Sequence, residues 1–215
     1  MYIALVKPMD ILIIAATEQE IGPFLKQPAK GRHNFDILVT GIGMVATAFS
    51  VGQRLSMRRY DLLLNVGIAG SFDRTIALGD VVHVVQDTFS EMGAEDDEFF
   101  WDSESIGLGE HTFHGSAELQ HPDLLQLRRC KGITVNRVHG NPANIQKITE
   151  RLKPDTESME GAAVLYAAHR SGIPAIQVRA ISNYVERRNK AAWQIPLAIA
   201  NLNAWLTVFT QNFDM

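Results

Sequence analysis

The chain has 215 residues, 46% apolar and 20% charged. That is the composition of one globular domain with ample material for its own core, and it excludes a disordered or collagen-like chain. Twenty Lys and Arg against 24 Asp and Glu give a formal net charge of −4, so there is no basic field to draw in nucleic acid or an anionic membrane.

Taken in chain order, ILIIAA (11–16) is a β-branched run that enters Thr17-Glu18-Gln19-Glu20, the pattern of a buried strand leading into a capped helix. The run is far too short to span a membrane and has no small-residue cleavage pattern behind it. The single cysteine, Cys130, cannot close an internal disulfide, so a reducing cytoplasm is the expected compartment. FDILVTGIG (35–43) repeats the design: an apolar strand, two glycines, then MVATAFSVGQRL (44–55), where Val45, Ala48, Phe49 and Leu55 mark an apolar helical face. DLLLNVGIAGS (61–71) is a third buried strand with a glycine-rich exit, and VVHVVQDTF (81–89) alternates like a strand with one wetter side. ESMEGAAVLYAAHRSG (157–172) reads as a helix stopped by Gly172, and IPAIQVRAISN (173–183) as the next strand. WQIPLAIANLNAWLTVFTQNF (193–213) is an apolar helix suited to cover one sheet face. Alternating strands and helices predict a single-domain α/β fold of three layers, α/β/α, with a central, mostly parallel sheet.

Between Glu91 and Glu104 lie seven acids and no base, interleaved with Phe99, Phe100 and Trp101. A solvated loop is the plain reading. The sharper one is that the aromatics cover a substrate or a neighbouring subunit, because adjacent large rings left in water are unusual. Gly41-Ile42-Gly43-Met44-Val45-Ala46 fits a dinucleotide-binding fingerprint, but that motif needs an acid after the next strand, whereas Asp61 stands before it; close packing of helix on strand explains the glycines better. His111, His114 and His121 lack the organised spacing of a metal site, so no metal and no cofactor is expected. Cys130 lies beside Arg128 and Arg129 without a nucleophile turn or partner histidine.

Better signals cluster at the carboxyl ends of the strands, where open α/β sheets place their ligands. They are Glu18 and Glu20, Gly67-Ile68-Ala69-Gly70-Ser71, Ser158-Met159-Glu160-Gly161-Ala162-Ala163, and Arg179-Ala180-Ile181-Ser182-Asn183. Alone, Glu20 reads as a capping residue and Glu160 as a surface acid. Together, AATEQEI (15–21), TGIGMVATA (40–48), NVGIAGSF (65–72), ALGDVV (77–82), SMEGAA (158–163) and VRAISN (178–183) resemble the purine nucleoside phosphorylase and nucleosidase superfamily over nearly the whole chain. Within it, 182–203 resembles the futalosine hydrolases, nucleosidases of a menaquinone route that release hypoxanthine.

The resemblance implies a nucleoside phosphorylase-like fold, a small-molecule purine nucleoside as substrate, a homodimer or larger homo-oligomer, and a role for each motif residue. Cleaving an N-ribosidic bond passes through a ribosyl cation, so a water must be held below the sugar and negative charge accepted on the departing base. Glu20 matches the carboxylate that activates the water, Arg179 the arginine near it, and Glu160 the carboxylate on the ribose hydroxyls, with Met159 against the sugar. Asn183 matches the residue at purine N7, and the Ala69-Gly70 backbone runs beside the nucleoside. Ile68 departs from the serine of methylthioadenosine nucleosidases. Arg187, Arg188, Lys190 and Arg137 are available for the acidic group beyond the 5′ carbon, a solvated face being the alternative for these charges. Phosphorolysis is the first rival, but Ile21, Gly22, Pro23 and Phe24 beside Glu20 offer no cation for phosphate. A silent nucleoside-binding protein is the second, and it does not need two acids at a neutral ribose.

Overall fold

A computed structural model describes residues 7–26, 32–116 and 119–213. In chain order they form β1 (Asp10–Ala15), α1 (Glu18–Leu25), β2 (Asn34–Val39), α2 (Met44–Met57), β3 (Leu62–Ser71), β4 (Val81–Phe89), β5 (Gly93–Asp96), β6 (Phe99–Asp102) and β7 (Thr112–His114). There follow α3 (Pro122–Leu125), β8 (Arg128–Thr134), α4 (Pro142–Leu152), β9 (Thr156–Ser158), α5 (Gly161–Ser171), β10 (Ala175–Tyr184) and α6 (Ile195–Asn212). The α/β class, the single domain and the mixed, largely parallel sheet agree with the sequence-based expectation: β1 lies parallel between β2 and β3, β10 runs parallel to β3, and β8 runs parallel to both β4 and β9.

The sheet also closes on itself. β3 bonds β10 along one edge, while its other edge carries β1 at its beginning and β9 at its end; β10 continues through β4 and β8 back to β9. The register slips once in β10, at Ser182, and once in β4, at Val85. An extra residue bends and twists a strand locally, which is what the turn into a closed circuit requires.

Alternate residues of β1 and β3 enter opposite cores, as a period of two dictates. Ile11, Ile13, Leu62 and Leu64 meet Leu202, Leu206 and Phe209 of α6, whereas Leu12, Ile14 and Leu63 meet Val51 of α2 and Val164 and Leu165 of α5. Each such side chain contributes about 1.5–3 kcal/mol through burial. Truncating Leu64, which has no exposed surface, to Ala would cost about 2–5 kcal/mol.

Four elements depart from the sequence-based reading. In α2, Thr47 and Val51 face inward while Val45 and Phe49 are 77% and 70% exposed. The turn before the helix decides this: Gly41 and Gly43 take positive φ (87° and 94°), the Gly43 N–H donates to Glu160, and Thr47 pairs with the Thr40 hydroxyl at 3.1 Å. β4 has no exposed residue on either side: His83 and Asp87 are buried with Val82 and Val84, and Val81, Val85 and Gln86 are half-buried. Thr156–Ser158 is a strand, and α5 begins only at Gly161. The acidic segment forms the β5–β6 hairpin, with Phe99 exposed and Phe100 beneath the Arg151 guanidinium at 3.9 Å. The stretch 112–156, unassigned from sequence, supplies β7, α3, β8 and α4.

Candidate active site

Glu20 does two jobs in one conformation. Its Oε2 accepts from the Thr17 N–H (2.9 Å) and hydroxyl (3.0 Å), completing the capping box of α1, while Oε1 accepts from the Ile68 N–H at 3.0 Å. The main chain at Ile68 therefore holds the carboxylate, whatever the side chain at that position. Gly67 makes room for this: a Cβ there would stand 2.8 Å from Glu20 Oε1 and would collide with the Arg179 guanidinium. Arg179 is wholly buried and donates through Nη2 to Asn65 Oδ1 at 2.6 Å, while Nη1, facing Gly67, has no hydrogen-bond partner among the described residues.

Glu160 sits immediately before α5, and its Oε1 accepts from the Gly43 N–H at 2.9 Å. Burial pushes its carboxyl above the usual carboxylate range; the Arg179 charge and the Gly43 N–H oppose that shift, and Glu20 reinforces it. Behind it lies Asp87, fully buried, which accepts from Gln177 Nε2 (2.8 Å) and from the Thr134 hydroxyl (2.9 Å); Thr134 in turn accepts from the Ala162 N–H at 2.7 Å. Burial raises Asp87 to about 6.

Asn183 follows the irregularity at Ser182. Its Oδ1 accepts from the Ser182 hydroxyl (2.8 Å), its Nδ2 donates to the Tyr184 carbonyl (3.0 Å), and the amide leans over Gly70, where a Cβ would come within 3.2 Å of Nδ2.

These residues share one cleft of about 330 Å³, which Glu20, Ile68, Ala69, Gly70, Met159, Glu160, Asn183 and Arg188 all line. Arg179 lies under its floor. Arg187 does not reach it: that side chain faces a separate groove beside Pro142 and Ile145, so of the two arginines only Arg188, 5.3 Å over the Trp193 ring, belongs to the cleft. The other discounted groups stay apart from the cleft. His111 faces Glu104, His121 caps α3, His114 is exposed on β7, and burial pushes the Cys130 thiol up to about 12.

A model of the phosphorylase superfamily matches residues 30–210. The chain belongs to that superfamily. It is 32% identical over 176 residues to a futalosine hydrolase of Streptomyces coelicolor, covering 78% of this chain and 75% of that one. It is 30% identical over 215 residues to a futalosine hydrolase of Acidothermus cellulolyticus, covering 92% and 87%. The fold matches the native structure of the Helicobacter pylori futalosine hydrolase with a TM-score of 0.82 at 15% identity, over 96% of this chain and 98% of that one.

Superfamily motifs account for Glu20, Glu160, Arg179 and Asn183, but not for everything the cleft contains. Glu157 and His139 also line it, and both the N–H and the ring of His139 bond the Glu157 carboxylate. Glu157 stands directly before the Ser158-Met159-Glu160 motif, yet it reads as one more helical acid until 156–158 is known to be a strand. Asn65 and Asp87 were equally hidden, each being a polar residue inside an apolar run.

Proposed function

We propose that the chain hydrolyses the N-ribosidic bond of futalosine, releasing hypoxanthine and dehypoxanthine futalosine as a step of menaquinone biosynthesis. Glu20, oriented by three hydrogen bonds, takes a proton from a water below the sugar, and the oxygen bonds C1′ as the C1′–N9 pair departs with the base. Glu20 then releases its proton to solvent, and the departing purine, which holds the C1′–N9 electron pair, takes one up from solvent. Glu160 holds the ribose hydroxyls, Met159 packs on the sugar, and Asn183 donates to the 6-oxopurine. Arg179 supplies a buried positive charge that favours the ionised form of Glu160 against the effect of burial. Arg188 pairs with the substrate carboxylate.

The observation that carries hydrolysis over phosphorolysis is the charge of the cleft: Glu20, Glu157 and Glu160 line it against one lining guanidinium, that of Arg188, while a fourth acid, Glu186, is paired with Arg74. A phosphate carrying about two negative charges would enter a field of its own sign and find few donors. Ile68 and Asn183 favour the futalosine reading over a methylthioadenosine-type nucleosidase, since the first lacks that group's serine and the second suits a 6-oxopurine. The protein acts as a homodimer or larger homo-oligomer, a reading supported by the exposed apolar Ile42, Val45 and Phe49, of which Ile42 also lines the cleft.

Incubation with futalosine, inosine, methylthioadenosine and adenosylhomocysteine, with and without phosphate, tests the reading by chromatography of the free base. Futalosine is expected to be cleaved fastest and without phosphate, and Glu20→Gln to lose on the order of 10²–10⁴ in rate as for a removed general base. Phosphate-dependent formation of a ribose-1-phosphate, or near-normal turnover by the variant, would overturn it.

A further inference from the structure

We infer that Glu157 is a specificity-determining residue that reads the N1–H of a 6-oxopurine, from the opposite side of Gly70 to Asn183. This rests on the hydrolase reading for the identity of the ligand, and on strand register for the geometry. Gly70 of β3 is paired with Asn183 of β10 on one side and with Glu157 of β9 on the other. Residues directly opposite in a ladder point to the same face, so the amide and the carboxylate flank the one position of the row that has no side chain. Two interstrand spacings, about 10 Å, separate their α-carbons, with room between for the edge of a planar bicyclic base lying on the Gly70 backbone. Both residues line the cleft.

The chemistry of the two flanks is complementary to one class of base. A 6-oxopurine presents acceptors at N7 and O6 and a donor at N1, which an amide N–H and a carboxylate satisfy in that order. A 6-aminopurine presents an acceptor at N1, and a carboxylate there would set lone pair against lone pair. Glu157 is buried and held still: the His139 N–H donates to Oε1 at 3.0 Å, the ring Nδ1–H donates to Oε2, and the Phe72 ring packs edge-on against the imidazole. Each carboxylate oxygen retains a lone pair beyond these bonds, and a carboxylate fixed this way meets its ligand without reorganising.

The test is equilibrium binding of hypoxanthine, 1-methylhypoxanthine and adenine to the wild-type protein and to Glu157→Gln, alongside release of base from futalosine. The wild type is expected to bind hypoxanthine at least tenfold more tightly than either other base, the scale of one buried hydrogen-bond mismatch. Glu157→Gln, whose amide can either accept from N1–H or donate to an adenine N1, is expected to shrink the hypoxanthine-to-adenine ratio by roughly tenfold. Equal binding of hypoxanthine and 1-methylhypoxanthine by the wild type, or an unchanged ratio in the variant, would overturn the role of Glu157. Absence of base release while that binding pattern persists would instead overturn the hydrolase reading alone.

Discussion

Asn203 of α6 occupies the place of a missing hydrogen bond in the helix that carries Glu20. Pro23 interrupts α1, and the Phe24 N–H, which would ordinarily donate to the Glu20 carbonyl, donates instead to Asn203 Oδ1 at 2.9 Å. The Asn203 Nδ2 donates to that same Glu20 carbonyl at 2.7 Å. One amide thus satisfies a donor and an acceptor that the proline sets apart, and it ties the backbone of Glu20 to the longest helix of the fold.

Replacing Asn203 with Leu orphans both backbone groups in a buried place, each at about 1–3 kcal/mol. We expect a lower Tm and a lower kcat with KM little changed, because the displaced group is the one that acts on water. Asn203→Asp keeps the acceptor for Phe24 and is expected to fall between. Thermal unfolding together with steady-state kinetics would show it; a Leu variant with unaltered kcat would mean that Glu20 is held by its side-chain bonds alone.

Asn183→Asp is expected to move the ratio of kcat/KM toward the 6-amino form of a nucleoside by roughly tenfold or more. A protonated Asp can give its proton to N7 and accept from an amino group, whereas it sets a lone pair against O6. Assay of inosine and adenosine on both proteins decides the matter. A wild type that already prefers adenosine would replace the futalosine reading with a methylthioadenosine-type one.

The two neighbouring arginines should separate cleanly. Arg188→Ala is expected to raise KM for futalosine by ten- to a hundredfold, the scale of a charge-assisted hydrogen bond, and to leave cleavage of inosine nearly unchanged, since inosine has no carboxylate to hold. Arg187→Ala, whose side chain faces the groove beside Pro142 and Ile145, is expected to leave both substrates at wild-type values. Equal effects of Arg188→Ala on the two substrates would make that residue structural.

Asp87 predicts a pH dependence of stability with a definite sign. Burial raises its folded value from 3.8 to about 6, so between those values the folded state keeps a proton that the unfolded state has lost. Stability therefore falls as pH rises from about 3.8 to about 6, by on the order of 3 kcal/mol, and this loss is complete above that window. Asp87→Asn stays neutral and should lack this component. Urea unfolding of both proteins at pH 4.5 and pH 7 would reveal it as a difference in slope; parallel curves would show that Asp87 ionises normally.

The exposed ridge of α2 offers a test of assembly. Val45→Glu with Phe49→Glu places two charges on the most apolar part of that face, and sedimentation is expected to show the wild-type oligomer falling to monomer. Activity should fall with it, because Ile42, at the end of the same ridge, lines the cleft. A wild type that sediments as a monomer would dismiss the assembly.

What the sequence by itself determined was local. The β-branched run at 11–16, the Thr17–Glu20 capping pattern, the paired glycines at 41 and 43 and the stop at Gly172 each act within a few residues, so strand, helix and turn could be placed from them. Whether Glu20 is a capping residue or a site acid cannot be chosen from spacing, and capping does not keep it from the cleft: one oxygen caps the helix while the other meets Ile68 beside the cleft. Tertiary structure alone decided which side of α2 faces the core, because that depends on a contact from Glu160 to Gly43 across 117 positions. It alone brought Asn203 to Glu20 across 183 positions, and set Glu157 and Asn183 on either side of Gly70. Such pairings follow from how the sheet closes, and closure is a property of the summed twist and irregularities of five strands that no short segment of the chain contains.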